Sequence, residues 1–345
     1  MDCRKNGKIS VFQLSPLPVY STILTRQVTC LAAAMTSIAL ADIIHAPLED
    51  LLNETDQARL GTFGKGIDLC AIVNIKSGRC TMDCRFCTQS RHHDTSIETY
   101  PLLSKEELSS ATHKLWKQDI PRIGWVSSGH SPTMEEIDAI IDAATTILAD
   151  GDAHHLCCAS LGQLNTSELE RLKAAGFCRY HHNLETSERF YPSICKTQRW
   201  RDRRATVERA KELGWAVCSG GLFGLGETWE DRYQLALTLR ELEVDSVPIN
   251  FLSPIPGTPL AARKPLSTEE ALRIVALFRL TMPKAAIRIC GGRPTVFPER
   301  QQDELLVRAG ANALMTGDYL TTSGISVEKD RQMIGRITGI CERYD

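Results

Sequence analysis

The sequence has no excess of either charge, no long hydrophobic run and no recognisable export signal. Its 345 residues include 40 Lys and Arg against 42 Asp and Glu, which gives a formal net charge of −2. Such a balance offers no basic surface for nucleic acid or for an anionic membrane. The longest apolar stretch, residues 28–40, is too short to span a bilayer and predicts a buried helix. We therefore expect a cytoplasmic protein with neither nucleic acid nor a membrane as a partner.

The sequence also lacks the common nucleotide-binding signatures. It contains neither a G-x-G-x-x-G turn followed by a suitably spaced acid nor a phosphate loop ending in Gly-Lys-Ser or Gly-Lys-Thr. Ordinary dinucleotide and nucleoside-triphosphate enzymes are therefore disfavoured. A hydrophobic content of 43% with 24% charged residues excludes a disordered or fibrous chain and indicates a globular protein with a large core.

Cysteine, by contrast, is abundant. The 13 cysteines are odd in number and show no spacing typical of a small disulfide scaffold. In a long chain without an export signal, reduced thiols that bind metal or take part in catalysis are more common than disulfides. The cysteines therefore point to metal chemistry.

Short β-rich segments alternate with helical segments along most of the chain. Such alternation predicts a parallel sheet, and eight strands favour an α/β fold of the (β/α)8 TIM-type barrel class over an open doubly wound sheet. We expect an N-terminal helical extension over residues 1–65, the barrel over 66–325 and a C-terminal helical tail over 326–345. The predicted strands are 70–76, 120–127, 154–160, 178–184, 216–220, 246–251, 285–290 and 311–315.

Three cysteines follow the first predicted strand at a distinctive spacing. Cys80, Cys84 and Cys87 form a C-x3-C-x2-C set in a loop where a barrel places catalytic groups. Three thiolates on one loop suit a four-iron cluster, which usually takes four cysteines, so that one iron keeps an open coordination position. The alternatives are a zinc site completed by His92 or His93, or three unrelated thiols.

The triplet, with Phe86 before its last cysteine, resembles the signature of the radical S-adenosylmethionine (SAM) enzymes. The resemblance implies a [4Fe-4S] cluster whose open iron is chelated by the amino and carboxylate groups of SAM. In that superfamily, reduction of the cluster cleaves SAM to a 5′-deoxyadenosyl radical, which removes hydrogen from the substrate. The cofactors carry the difficult chemistry, and the barrel supplies orientation and exclusion of water.

Within that superfamily, residues 60–325 resemble the biotin synthase family. The stretches that carry the resemblance are Tyr180–Ser187, Val217–Thr228, Val247–Asn250, Pro254–Pro259, Ile287–Arg293 and Gly310–Ala313. The resemblance implies sulfur insertion into dethiobiotin, a reductant protein such as flavodoxin or ferredoxin, and a homodimeric state. Two alternatives stay open: a related barrel of the hydrogenase-maturation or pyrrolysine type, and a non-catalytic iron–sulfur sensor.

Polar residues of the fourth predicted strand share one face. His181, Asn183 and Glu185 are two residues apart, so all three should face the barrel interior while His182 faces outward. Polar side chains inside a closed barrel are costly without a polar ligand. The pattern therefore favours a binding site at this strand.

The family resemblance implies which residues bind SAM. Glu185 and Asn183 match residues that hydrogen-bond the cofactor, Glu185 at the ribose hydroxyls, and Arg203 matches the arginine that pairs with the methionine carboxylate. Phe86 belongs to the cluster signature. Gly224 lies in a glycine-rich turn whose backbone is expected to approach the cofactor closely.

The residues implied for the substrate lie nearby. Asn250 matches a family residue that holds the ureido ring of dethiobiotin, and we expect His181 and Asn183 beside the same ligand. His181 and Glu185 stand where the familiar pattern has Asn and Asp, a change that bears on how the substrate sits.

The resemblance also implies an auxiliary iron–sulfur cluster deep in the barrel as the sulfur source. In its usual two-iron form the ligands are three cysteines and an arginine, and Cys158, Cys218 and Arg288 match three of them. The second predicted strand lacks the remaining cysteine. We expect Cys195 and Cys290 to join Cys158 and Cys218 around a four-iron cluster; the alternative is that both are small buried hydrophobes. The cysteines expected to be structural are Cys3, Cys30, Cys70, Cys157, Cys178 and Cys341.

Overall fold

The computed structural model describes residues 40–152, 154–299 and 302–339. Most of the predicted helix at 28–40, together with Cys3, Cys30 and Cys341, lies outside the described residues. Within the described ranges, strands and helices alternate as the sequence predicts.

The centre of the molecule is a parallel sheet that closes on itself. Its strands are β1 (Asp68–Lys76), β2 (Arg122–Ser127), β3 (Leu156–Ser160), β4 (Arg179–His181), β5 (Ala216–Cys218), β6 (Gly221–Phe223), β7 (Ser246–Phe251), β8 (Ala286–Ile289) and β9 (Ala313–Met315). The sheet order is β5-β4-β3-β2-β1-β9-β8-β7-β6, and a further pairing of β5 with β7 closes it. Because β6 continues the path of β5 after a two-residue break, the barrel has eight strand positions. The barrel prediction is confirmed, and the open sheet is excluded.

Several helices around the barrel begin at a capping box. The helices are α1 (Leu40–His45), α2 (Leu48–Phe63), α3 (Lys105–Trp116), α4 (Met134–Ile147), α5 (Thr166–Ala174), α6 (Trp200–Glu212), α7 (Trp229–Glu241), α8 (Thr268–Thr281), α9 (Arg293–Val296), α10 (Asp303–Arg308) and α11 (Val327–Thr338). At α3 the Ser104 hydroxyl accepts the N–H of Glu107, whose carboxylate accepts the N–H of Ser104. The same reciprocal arrangement opens α4, α5 and α7, so local sequence sets where the loops above the strands end.

Side chains alternate between the two faces of each strand. On β2, Ile123 and Trp125 are fully buried in the core shared with the helices. Arg122, Gly124 and Val126 line a central cavity instead. The period of two thus separates residues of the apolar outer core from residues that line the cavity.

Helix α8 is buried on all sides. Every residue from Ala271 to Thr281 is buried, because α1 and α2 cover the face that the barrel leaves open. The guanidinium of Arg273 donates to the carbonyl oxygens of Ile43 (2.8 Å) and Ala46 (2.9 Å). The described part of the expected N-terminal extension is therefore helical and packs on the barrel.

An antiparallel hairpin precedes the last helix. Its strands are β10 (Gly317–Tyr319) and β11 (Thr322–Ile325). Side chains at its turn line the central cavity, and the hydroxyls of Thr321 and Thr88 lie 2.8 Å apart. The hairpin therefore borders the cavity mouth. None of the described helices is long and apolar enough to cross a membrane.

We expect the ion pair between Arg293 and Asp330 to hold α11 on the barrel. Both side chains are at most 3% exposed, and the guanidinium donates to both carboxylate oxygens at 2.7 Å. Asp330→Asn leaves a buried guanidinium without a counter-charge, which should lower the free energy of unfolding by about 3–5 kcal/mol. Urea denaturation measures this loss.

A matched control lies on the same helix. The pair between Arg336 and Glu304 has a similar length, 2.9 Å, but is exposed, so Arg336→Gln should cost less than about 1 kcal/mol. Equal losses for the two variants would contradict the assignment of Asp330.

Candidate active site

The inward faces of the strands enclose one large cavity of about 350 Å³. It extends from the loops at the carboxyl ends of the strands down to residues near the start of β1, such as Cys70. The three residues of the C-x3-C-x2-C set all line it, together with Phe86. The site therefore lies at the end of the barrel where catalytic residues are expected.

The loop that carries the three cysteines, residues 80–89 and here called the cysteine loop, is held in shape by hydrogen bonds of its own backbone. The N–H of Cys80 donates to the carbonyl of Gln89 (2.9 Å), and the N–H of Cys87 donates to the carbonyl of Cys84 (2.9 Å). Desolvation raises the pKa of the Cys87 thiol to about 11. A thiolate at this position would need a neighbouring positive charge, which a bound metal would supply.

The zinc alternative finds no support in the loop. A ring nitrogen of His92 is hydrogen-bonded to the carbonyl of Thr81 (3.0 Å), and one of His93 to the carbonyl of Cys87 (2.8 Å). Among the residues that the structure describes, no three His, Cys, Asp or Glu side chains converge on a position for a single ion.

Strand β4 ends earlier than predicted. The predicted strand runs to Leu184, whereas β4 stops at His181 and Glu185 adopts a left-handed conformation with φ +69°. The bend arises because the carbonyl of Glu185 accepts the N–H of Leu222 (2.9 Å), which draws the chain toward β6. His181, Asn183 and Glu185 nevertheless all line the cavity.

The outward prediction for His182 is only partly met. Its ring stacks near Tyr180, with centroids 6.5 Å apart, yet the residue also forms part of the cavity wall. The chain leaves the strand before His182, so strict alternation no longer applies. Burial lowers the pKa of this imidazole well below its usual value, and it is therefore neutral.

A largely covered ion pair occupies one side of the cavity. Arg203 lies 3.3 Å from the carboxylate of Glu185, and the two side chains are 13% and 15% exposed. Arg203 also donates to the carbonyl of Asn183 (2.5 Å) and to the side-chain oxygen of Gln198 (2.8 Å). Burial raises the pKa of Glu185, and the charge of Arg203 opposes that shift. These contacts fix a cation and an acceptor side by side.

The floor of the cavity is rich in thiols around a guanidinium. Cys158, Cys218 and Cys290 all line it, as predicted, together with Arg288. Burial would raise the pKa of Cys218, but the neighbouring imidazole of His181 and nearby guanidinium groups lower it to about 7. A thiol with that pKa is partly ionised at neutral pH and is a ready ligand for a soft metal.

Cys195 does not lie with these thiols, which corrects the predicted four-cysteine set. It follows a short 3-10 helix, and its Sγ lies beside Cys84 and 3.3 Å from the carboxylate of Asp83. Its loop packs against the cysteine loop rather than entering the barrel, which explains the displacement.

Cys70, expected to be structural, lines the cavity floor instead. Burial alone would lower the pKa of Arg288, but its ion pair with Asp68 raises it, and ionised Cys70, Cys218 or Cys290 would act in the same direction. The available signal was register: Cys70 and Ile72 are two residues apart on β1 and both face inward. Cys157 packs in the outer apolar core, as predicted.

Asn250 is held in one orientation. Its side-chain oxygen accepts the N–H of Gly291 (3.0 Å) and the hydroxyl of Tyr319 (3.0 Å), and its amide donates to the carbonyl of Gly221 (3.2 Å). One amide N–H is left to face the cavity. Tyr319 has no counterpart in the sequence-based predictions, because its hairpin reaches the site only through the tertiary fold.

Gly224 does not reach the cavity wall. Its N–H donates to the carboxylate of Glu227 (3.0 Å), and its φ is +94°. The glycine serves a turn, whereas the cavity is lined two residues earlier by Leu222. The expectation of a close cofactor contact at Gly224 is therefore not supported by its position.

Comparison with known proteins gives these features a common context. The Radical SAM superfamily matches residues 74–239, and the Biotin and Thiamin Synthesis associated domain matches residues 248–338. Biotin synthase of Desulfovibrio desulfuricans is 50% identical over 292 residues, covering 85% of this chain and 91% of that protein. Biotin synthase of Clostridium perfringens is 44% identical over 295 residues, covering 86% and 91%.

The chain belongs to the biotin synthase family. The sensor alternative and the related barrel enzymes are not favoured. The [4Fe-4S] cluster and SAM follow from membership of this family, and the cysteine donors at the cavity mouth fit such a cluster.

Solved structures confirm the fold of this biotin synthase family member. The FeFe-hydrogenase maturase HydG from Carboxydothermus hydrogenoformans superposes with a TM-score of 0.75 at 18% identity, covering 90% of this chain and 77% of that one. Methylornithine synthase superposes with a TM-score of 0.72 at 19% identity, covering 92% and 94%. At such identities the likeness shows the barrel fold alone.

We expect Glu185→Gln to weaken SAM binding at least tenfold. The substitution removes the charge that Arg203 faces and an acceptor suited to hydroxyl groups. Equilibrium dialysis of the reconstituted protein with SAM measures the affinity. Glu188→Gln removes a carboxylate three residues away whose pair with Arg201 is exposed, and should leave affinity unchanged. Equal affinities for all three proteins would contradict the assignment.

Proposed function

We propose that this chain converts dethiobiotin to biotin by radical SAM chemistry, with sulfur taken from an auxiliary cluster. The observation that carries the proposal is the presence of two thiol sets at different depths of one cavity. Cys80, Cys84 and Cys87 lie at its mouth, and further cysteines lie on its floor around Arg288. A substrate held between the two thiol sets would have the cofactors that abstract hydrogen on one side and the source of sulfur on the other.

The residues at the mouth would hold the first cluster and SAM. When bound, these cofactors supply the one-electron chemistry that removes hydrogen from unactivated carbon. Arg203 would bind the methionine carboxylate, because its guanidinium is fixed by Gln198 and by the carbonyl of Asn183. Glu185 would accept from the ribose hydroxyls, since an ionised carboxylate offers acceptors and no donor.

Asn250 would orient the substrate. Its oxygen is already occupied twice, so that only an N–H is offered to a ligand. A urea carbonyl, such as that of dethiobiotin, is a suitable acceptor for this group. His181 and Asn183 line the same cavity and would complete the contacts to the ring.

The auxiliary cluster is assigned to a revised ligand set. We place it among Cys70, Cys158, Cys218 and Cys290, with Arg288 adjacent, because all five line the cavity floor. Four thiolates can hold a four-iron cluster without an arginine ligand, unlike the two-iron form with three cysteines and an arginine. The position of the missing cysteine on β2 supports this reading, since Gly124 offers no ligand there and pairs in register with Cys158.

Further proposals rest on the family resemblance. A reductant protein such as flavodoxin or ferredoxin would supply electrons, the chain would act as a homodimer, and its compartment would be the cytoplasm. The domain boundaries 1–65, 66–325 and 326–345 stay predictions; the helices α2 and α11 lie on the expected sides of them.

Product analysis is the direct test of the activity. The anaerobically reconstituted protein is incubated with dethiobiotin, SAM, sulfide and a low-potential reductant, and 5′-deoxyadenosine and biotin are measured by mass spectrometry. We expect both products. Deoxyadenosine without biotin would place the substrate elsewhere in the superfamily, and the absence of both products from protein with intact clusters would overturn the proposal.

Iron analysis tests the revised ligand set. Wild-type protein should hold roughly eight irons, four for each cluster, whereas a two-iron auxiliary cluster would give about six. Cys70→Ala and Cys290→Ala should each reduce the content to about four. Cys157→Ala, next to Cys158 but facing the outer core, should retain the wild-type content. Loss of iron in Cys195→Ala with full iron in Cys70→Ala would restore the original set.

A further inference from the structure

The cysteine loop is fixed from outside the cavity by a second loop. Residues 193–198, here called the docking segment, run from the end of a short 3-10 helix to the start of α6. The backbone N–H of Arg85 donates to the carbonyl of Ile194 (2.9 Å), and its guanidinium donates to the carbonyl of Ser193 (3.3 Å). These contacts attach one end of the Cys84–Cys87 turn.

Asp83 makes most of the remaining contacts. A single carboxylate oxygen accepts the N–H of Lys196 (2.9 Å), the N–H of Thr197 (3.0 Å), the Thr197 hydroxyl (2.8 Å) and the Cys195 thiol (3.3 Å). The N–H of Asp83 returns a hydrogen bond to the Thr197 hydroxyl (2.9 Å). Hydrogen bonds to an ionised acceptor are stronger than neutral ones. A single side chain, that of Asp83, therefore holds the docking segment directly beside Cys84.

The docking segment also leads to the ion pair of Glu185 and Arg203. Gln198 follows Thr197, and its oxygen accepts from Arg203 (2.8 Å) and from the hydroxyl of Tyr191 (3.1 Å). Arg203 in turn contacts Glu185. Hydrogen bonds, together with the peptide link from Thr197 to Gln198, thus join the cysteine loop to the residues assigned to SAM.

We propose that Asp83 is a positioning residue, which holds Cys84 at the cavity mouth and keeps the docking segment in place for Arg203. The proposal rests on the proposed function in so far as Cys84 holds a cluster. Residues that hydrogen-bond to a metal ligand and orient it, without binding the metal themselves, commonly determine how firmly the metal is held. Loss of Asp83 should therefore speed cluster loss and loosen the docking segment without removing any ligand.

Cluster retention is the first readout. After anaerobic reconstitution, the visible absorbance of the cluster is followed during exposure to an iron chelator. We expect loss about tenfold faster in Asp83→Ala, with intermediate rates in Asp83→Asn and in Thr197→Val, which removes the hydroxyl that Asp83 contacts twice. The exposed Asp150→Ala serves as the matched control and should behave as wild type. Equal rates in Asp83→Ala and wild type would overturn the proposal.

Hydrogen exchange of the cluster-free protein gives an independent readout. The amides of Lys196 and Thr197 donate to Asp83, so peptides covering the docking segment should exchange at least tenfold faster in Asp83→Ala and unchanged in Asp150→Ala. If Asp83→Ala does not fold, hydrogen exchange of Asp83→Asn and Thr197→Val decides instead. Unchanged exchange in all of them would reject the docking role.

The two measurements separate this proposal from the proposed function. A wild-type protein that takes up no iron at the triplet would overturn the proposed function, and hydrogen exchange would then decide the role of Asp83 alone. A wild-type protein that holds iron and forms biotin, with no effect of Asp83→Ala on either readout, would overturn only the positioning role.

Discussion

The buried charge of Arg288 is the constraint around which the barrel interior is arranged. Its side chain is 3% exposed, so compensating groups must come from within the barrel. Asp68 on β1 forms the ion pair, and the carbonyl of Leu314 on β9 accepts from the guanidinium (3.2 Å). These contacts connect β8 with the neighbouring strand β9 and with β1, which lies next to β9. Burial raises the pKa of the Cys70 and Cys290 thiols, and the positive charge of Arg288 opposes that shift, so the cavity floor suits thiolate ligands better than an apolar core would.

Most of the fold could be predicted from the sequence, because its signals are local. Apolar runs mark the strands, and reciprocal caps such as Ser104 with Glu107 mark where helices begin. The C-x3-C-x2-C spacing identified the mouth of the cavity for a similar reason, since three ligands on one loop need no tertiary information. The three cysteines and the polar residues predicted for strand four accordingly line the cavity, as expected.

What could not be predicted depends on how distant segments meet. The sequence predicts Cys195, in the loop after β4, as a ligand of the auxiliary cluster, yet that loop packs on the cysteine loop. Cys70 belongs to no motif, and although the two-residue period of β1 indicates its inward face, its place at the cavity floor depends on how β1 pairs with its neighbours. Tyr319 reaches Asn250 across 69 positions of sequence, and the bend at Glu185 depends on pairing with β6. Each of these contacts is set by tertiary packing, on which short-range patterns carry no information.

The fixed orientation of Asn250 has a consequence for discrimination among ligands. Two donors hold its oxygen, so rotating the amide by half a turn would set an NH2 group against the N–H of Gly291 and leave two donors face to face. The site therefore cannot adapt to a ligand of reversed polarity. A cyclic guanidine of the same shape as a cyclic urea would bring N–H groups where an oxygen is required. Such a molecule would be rejected by hydrogen-bond polarity, although its size and outline would fit.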